Sequence, residues 1–129
     1  MENGTKLLRT AVVLLVGLCV PAGTLAAGTD KAGPTLARDS EALAKIVIPA
    51  EPPGAVQFAA VELRDYLRRV TGAPFEVTST DPGAPPRIYV GDSAAARAAG
   101  LDVSTLKRDG FFRGVVGQDL YILGRDDPD

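Results

Sequence analysis

Residues 55–70 read AVQFAAVELRDYLRRV, and this stretch decides the fold. Val56, Ala59, Ala60, Leu63, Leu67 and Val70 recur at the three- and four-residue steps that stack side chains on one face of an α-helix. Gln57, Arg64, Asp65, Arg68 and Arg69 take the wet side, and Asp65 precedes Arg68 and Arg69 at the spacing of helix-stabilising pairs. Gly72 stands where a left-handed cap is wanted, and Pro74 prevents the helix from continuing. A helix with one apolar stripe must lie on something, so the segments on either side are read for a sheet.

They supply one. Upstream, Lys45–Pro49 (KIVIP) is a short β-branched run closed by proline, a buried strand. Glu51-Pro52-Pro53-Gly54 turns the chain into the helix. Downstream, Pro74–Thr78 alternates Phe75 and Val77 with Glu76 and Thr78, and Ser79–Pro86 is a loop by composition. Arg87–Val90 (RIYV) is a strand ending in Gly91-Asp92. Asp92 or Ser93 then caps an Ala-rich helix, Ser93–Ala99, stopped by Gly100. Leu101–Asp109 reads mostly as loop. Gly110–Val116 and Leu120–Gly124 flank Gly117-Gln118-Asp119 as a hairpin. The expected class is α+β: a small mixed sheet of about five strands with helices packed on one face.

The chain has 129 residues, room for one ordinary domain. Residues 1–26 read as a signal peptide. Lys6 and Arg9 form the positive end, Ala11–Val20 (AVVLLVGLCV) the apolar run, and Thr24-Leu25-Ala26 a small-residue cleavage site. The run is too short to cross a bilayer as a helix, which takes about 20 residues. Cleavage after Ala26 leaves 103 residues and moves the net charge from −2 to −3, since Glu2, Lys6 and Arg9 depart. It also removes Cys19, the one cysteine, leaving no disulfide. Lipid attachment at Cys19 is disfavoured by the bulk of Leu18 before it. The expected organisation is signal peptide 1–26, flexible leader 27–43 and an α/β domain over 44–129, in a secreted or periplasmic protein with no membrane association once the signal is cleaved.

The same composition narrows the chemistry. Without histidine the chain has no Ser-His-Asp or Cys-His catalysis and no His-ligated metal, and one cysteine makes no zinc cluster. Fourteen basic residues against 16 acidic ones leave no surplus to neutralise a nucleic-acid backbone. No glycine-rich phosphate loop occurs. The carboxylates Glu62, Asp65, Glu76, Asp92, Asp109 and Asp119 are candidates for glycoside hydrolysis, which needs two across a cleft. Sequence spacing pairs none of them, and solvated surface charge explains them as well; for Asp92, so does helix capping. Asp126, Asp127 and Asp129 match half a calcium loop only by composition. Strand aromatics Phe75, Tyr89, Phe111 and Tyr121 read as core; Phe111 and Phe112 alternate, so one of them faces outward. No catalytic, cofactor-binding or metal residue is assigned.

Ala59–Gly72 (AAVELRDYLRRVTG) with the following Ala73–Val77 resembles the helix-and-strand segment of the N-terminal accessory domain of alpha-glucuronidases. Related accessory domains precede the barrel of beta-N-acetylhexosaminidases. Ile46–Pro49 before the helix, Arg87–Asp92 after it, Asp109–Phe111 and Leu120–Gly124 follow in the same order, so the resemblance runs over about 44–128. It implies a small sheet with helices on one face, standing ahead of a catalytic (β/α)₈ barrel that holds the catalytic carboxylates; no residue here matches a catalytic motif. Family members continue past the Gly-Arg-Asp-Asp-Pro region into a second amphipathic helix over the sheet. Here the sequence stops at Asp129, and the expectation is a sheet face lacking part of its cover.

Three functions follow. The first is a non-catalytic accessory domain of a secreted carbohydrate-active hydrolase, with a downstream barrel or partner subunit as its neighbour. The second is a stand-alone exported module binding a polysaccharide or a protein. The third is a small enzyme working with carboxylates alone. None calls for a cofactor.

Overall fold

A computed structural model of the protein describes residues 32–125. The signal peptide read over 1–26, with Cys19, and the acidic tail Asp126–Asp129 lie outside the described residues. The fold is α+β: a five-stranded mixed sheet, a two-stranded hairpin and one long helix. In chain order the elements are β1 (Ala37–Arg38), β2 (Glu41–Ala42), β3 (Lys45–Val47), α1 (Gly54–Thr71), β4 (Val77–Thr78), β5 (Arg87–Val90), α2 (Ala94–Ala98), a 3₁₀ turn (Val103–Thr105), β6 (Phe111–Val116) and β7 (Asp119–Gly124).

The large sheet runs β4-β3-β5-β7-β6. β4, β3, β5 and β7 are parallel, and β6 pairs antiparallel with β7 across the two-residue turn Gly117-Gln118. Alternation along the strands gives the sheet two faces. Ile46, Ile88 and Val90 point to one, where they pack with Ala60, Ala44, Ala73 and Phe75 and gather Val56, Leu63, Leu67, Leu120 and Ile122 around them. Val47, Tyr89, Tyr121 and Leu123 point to the other and pack with Ala96, joined by Ala95, Ala99, Leu101, Val103 and Phe112. The expected helical layer is α1 on the first face; the single short α2 belongs to the second cluster. Ile46 and Ile88 are fully buried, each stabilising the fold by about 1.5–3 kcal/mol.

The helix ends as its sequence dictates. Gly72 adopts the left-handed conformation (φ 74°) and its N–H donates to Arg68 O at 2.9 Å. Thr71 Oγ1 bonds back to Leu67 O and accepts from Ala73 N–H, which turns the chain into β4. Ser93, rather than Asp92, caps α2, its Oγ accepting from Ala96 N–H at 3.2 Å. The segment read as a leader, 27–43, contains more structure than its composition promises. Asp39 and Ser40 take positive φ (51° and 62°) and close the β1–β2 hairpin, while Leu36 packs on the α1-side core and Leu36 O accepts from the N–H groups of Leu43 and Ala44. Asp119, read as part of a connection, opens β7.

Candidate functional site

The α1 layer is narrower than the sheet beneath it. Its closest backbone approaches are to β4 and β5. The register of the β6–β7 hairpin places Phe111, Arg113 and Val115 beside Gly124, Ile122 and Leu120, on the α1 face. There Phe111 is 76% exposed and Val115 47%, while Leu120 and Ile122 are half-buried. Ala59 and Val70, which periodicity assigns to the buried stripe, are exposed. Together with Ala55 and Tyr66 they form one flank of α1 at a rise of 3.6 residues per turn. Ala55 and Ala59 line a depression of ≈ 170 Å³ with Val90, Gly91, Ile122 and Gly124, which turns this flank toward β7. The result is an open trough, largely apolar, with Arg113 on its floor. Its floor is β7 and β6, and its wall is the flank of α1.

At one end the trough meets the carboxyl ends of β5 and β7. A depression of ≈ 210 Å³ lies there, lined by Pro53, Val56, Asp92, Val103, Gly124 and Arg125. Gly91 is required at this corner. Its φ is +90°, and a Cβ would come within 2.9 Å of Val56 Cγ1. Asp92 pairs with Arg97 (Nε to Oδ1, 3.1 Å), and Arg125 Nη1 donates to Leu106 O at 2.8 Å. This depression thus has Pro53, Val56 and Val103 as apolar lining, and its Asp92 and Arg125 are each engaged by a neighbour outside it.

The densest polar cluster sits at the opposite end of the sheet, on the α2 face. Asp119 is 7% exposed and accepts from Arg87 three times: from the backbone N–H at 2.9 Å, Nε at 3.1 Å and Nη2 at 2.8 Å. Arg87 Nη1 reaches Asp81 Oδ1 at 3.1 Å. The guanidinium lies 5.6 Å from the Tyr89 ring centre, and Tyr89 stacks on Tyr121 at 5.0 Å. The bonds to Asp119 hold the Arg87 pKa above its ordinary value against the opposing effect of burial. The Gly83 N–H, then Arg87, hold the Asp81 carboxyl below the usual range. Burial pushes both Tyr89 and Tyr121 up.

Of the candidate carboxylates, Asp119 alone is buried, and it joins Asp81, a loop residue with no distinguishing motif around it, at one guanidinium. Glu76 pairs with Lys45 at 2.7 Å, and Asp65 with Arg64 at 2.8 Å rather than one turn along. Glu62 is exposed on α1, and Asp109 sits at positive φ before β6. Asp65, Asp81 and Asp102 are each shifted down, by Arg64, Gly83 and Ser104 respectively, whereas a glycosidase's general acid needs the opposite shift. The Arg87 cluster is therefore a clamp between β5 and β7, and the trough is the surface with capacity to spare. Phe111 is the outward member of the Phe111–Phe112 pair and stands on its floor.

No protein-family model matches the chain, and no match is found among curated proteins or solved structures.

Proposed function

We propose that this chain is a non-catalytic accessory domain of a secreted carbohydrate-active hydrolase of the alpha-glucuronidase or beta-hexosaminidase kind, and that its trough packs against the body that carries out catalysis. One observation supports the reading: among the described residues, β6 carries large exposed apolar side chains on the α1 side of the sheet. Phe111 and Val115 on β6 and Tyr66 and Val70 on the β7-side flank of α1 are large exposed apolar residues. Contiguous apolar surface of this kind marks a contact with another folded body. The order of segments from Ile46 to Gly124 adds the resemblance to the hydrolase accessory domains.

The test is the mass and amino-terminal sequence of the native polypeptide in its source, together with the coding sequence beyond Asp129. A product several times larger than 129 residues, starting near Ala27 and continuing into a barrel, supports the reading. A product of about 103 residues overturns it and favours a stand-alone module, to be followed by titration with polysaccharides.

A further inference from the structure

We infer that β6 pairs with β6 of a second copy of this chain, antiparallel about a twofold axis at Gly114, joining two five-stranded sheets into one. The surface involved is the backbone edge of the sheet, apart from the trough. The Arg125 N–H bonds to Gly110 O at 2.9 Å, which fixes the phase of the β6–β7 ladder. Phe112, Gly114 and Val116 direct their backbone groups inward to β7. Phe111, Arg113 and Val115 direct theirs outward. Among the described residues no strand lies on that side.

Such an edge is a template for pairing, and proteins that stay apart blunt theirs with proline, bulges, inward charges or brevity. The opposite edge is blunted: β4 has two residues. β6 has six, in unbroken register, with one charge and no proline.

The sequence of β6 also selects a partner and a register. With both copies presenting the same face to the same side, odd-numbered residues must oppose odd ones, so the longest symmetric registers centre on Arg113 or on Gly114. Centring on Arg113 opposes two guanidiniums directly, which is destabilising. Centring on Gly114 opposes Arg113 to Val115 of the second copy and Phe112 to its Val116. Each Arg113–Val115 pair then exchanges backbone hydrogen bonds in both directions. The space over the paired glycines is already occupied: a Cβ on Gly114 would lie 2.8 Å from the Phe112 ring, so each copy brings an aromatic cover to the axis. This strand is complementary to itself.

The experiment is sedimentation equilibrium on the full chain over a concentration series, with Val115→Glu and Val115→Lys as variants. Val115 is exposed and its backbone does not bond to β7, so both substitutions leave the hairpin intact. Val115→Glu places a carboxylate opposite Arg113 of the other copy at two symmetric positions and tightens the dimer. Val115→Lys places like charges there and loosens it. Each change in dissociation constant is about 2- to 30-fold, from two cross-strand pairs of roughly 0.2–1 kcal/mol each. A chain that stays monomeric up to the highest concentration, an open-ended series of oligomers, or two variants that shift the equilibrium in the same direction would each overturn the assignment.

Discussion

Replacing Asp119 by Asn tests whether the Arg87 cluster clamps the sheet. The amide keeps an acceptor for the Arg87 backbone N–H and deletes only the charge. An exposed ion pair is worth about 0–1 kcal/mol, while removing one partner of a fully buried pair costs about 3–5 kcal/mol. The pair lies between these limits. The side chains of Arg87 and Asp119 are 20% and 11% exposed, and the exposed Asp81 still holds Arg87 from the other side. We expect a loss of about 2 kcal/mol, or roughly 8–16 °C in melting temperature for a domain of this size. Arg87→Met costs a similar amount because Asp119 then keeps a charge with no cation. The double variant leaves no unbalanced charge and costs no more than either single one. Urea unfolding of all four proteins, at constant slope, gives the coupling energy, expected at about 2 kcal/mol or more. Additive losses, with coupling below about 0.5 kcal/mol, would show that the cluster is ordinary surface charge.

Gly91→Ala is expected to cost about 2 kcal/mol, part from a left-handed backbone and part from overpacking on Val56. Adding Val56→Ala restores the second part only, so complete recovery of the urea midpoint would refute the backbone half of the account. Tyr89 and Tyr121 have pKa values raised above 10.0 by burial. Their contribution is present in full below the unfolded value and is lost as pH climbs through the folded ones. Stability therefore falls above pH 10, and less steeply in Tyr89→Phe; a flat profile would sink this reasoning. Phe111→Asp leaves the unfolding free energy of the chain within about 0.5 kcal/mol and weakens binding of a dye for apolar surface. A loss beyond about 1.5 kcal/mol would mean that Phe111 is packed within the chain.

Local chemistry made most elements readable. α1 declares itself by its stripe, Gly72 and Pro74; Arg87–Val90 is bounded by Pro86 and Gly91; the β6–β7 hairpin follows from its turn. What escaped was decided at a distance. Asp119 reads as a turn residue because its partner Arg87 is 32 positions away. The β1–β2 turn hides because Asp39 and Ser40, rather than glycines, take the positive φ values. Ser93 and Asp92 are both competent caps, and only the direction of the chain leaving Gly91 chooses between them. Val70 satisfies the helical period yet is exposed, because periodicity reports which side of a helix is apolar and says nothing of how far the sheet extends beneath it.

The place of β7 governs the order in which the domain is completed. It comes last among the described strands, and it is inserted between β5 and β6. Until Asp119–Gly124 has left the ribosome, β6 has no neighbour and Arg87 no Asp119, so the growing polypeptide holds only the β4-β3-β5 half of its sheet. Synthesis from the amino end therefore leaves this sheet incomplete until the last of its described strands is made.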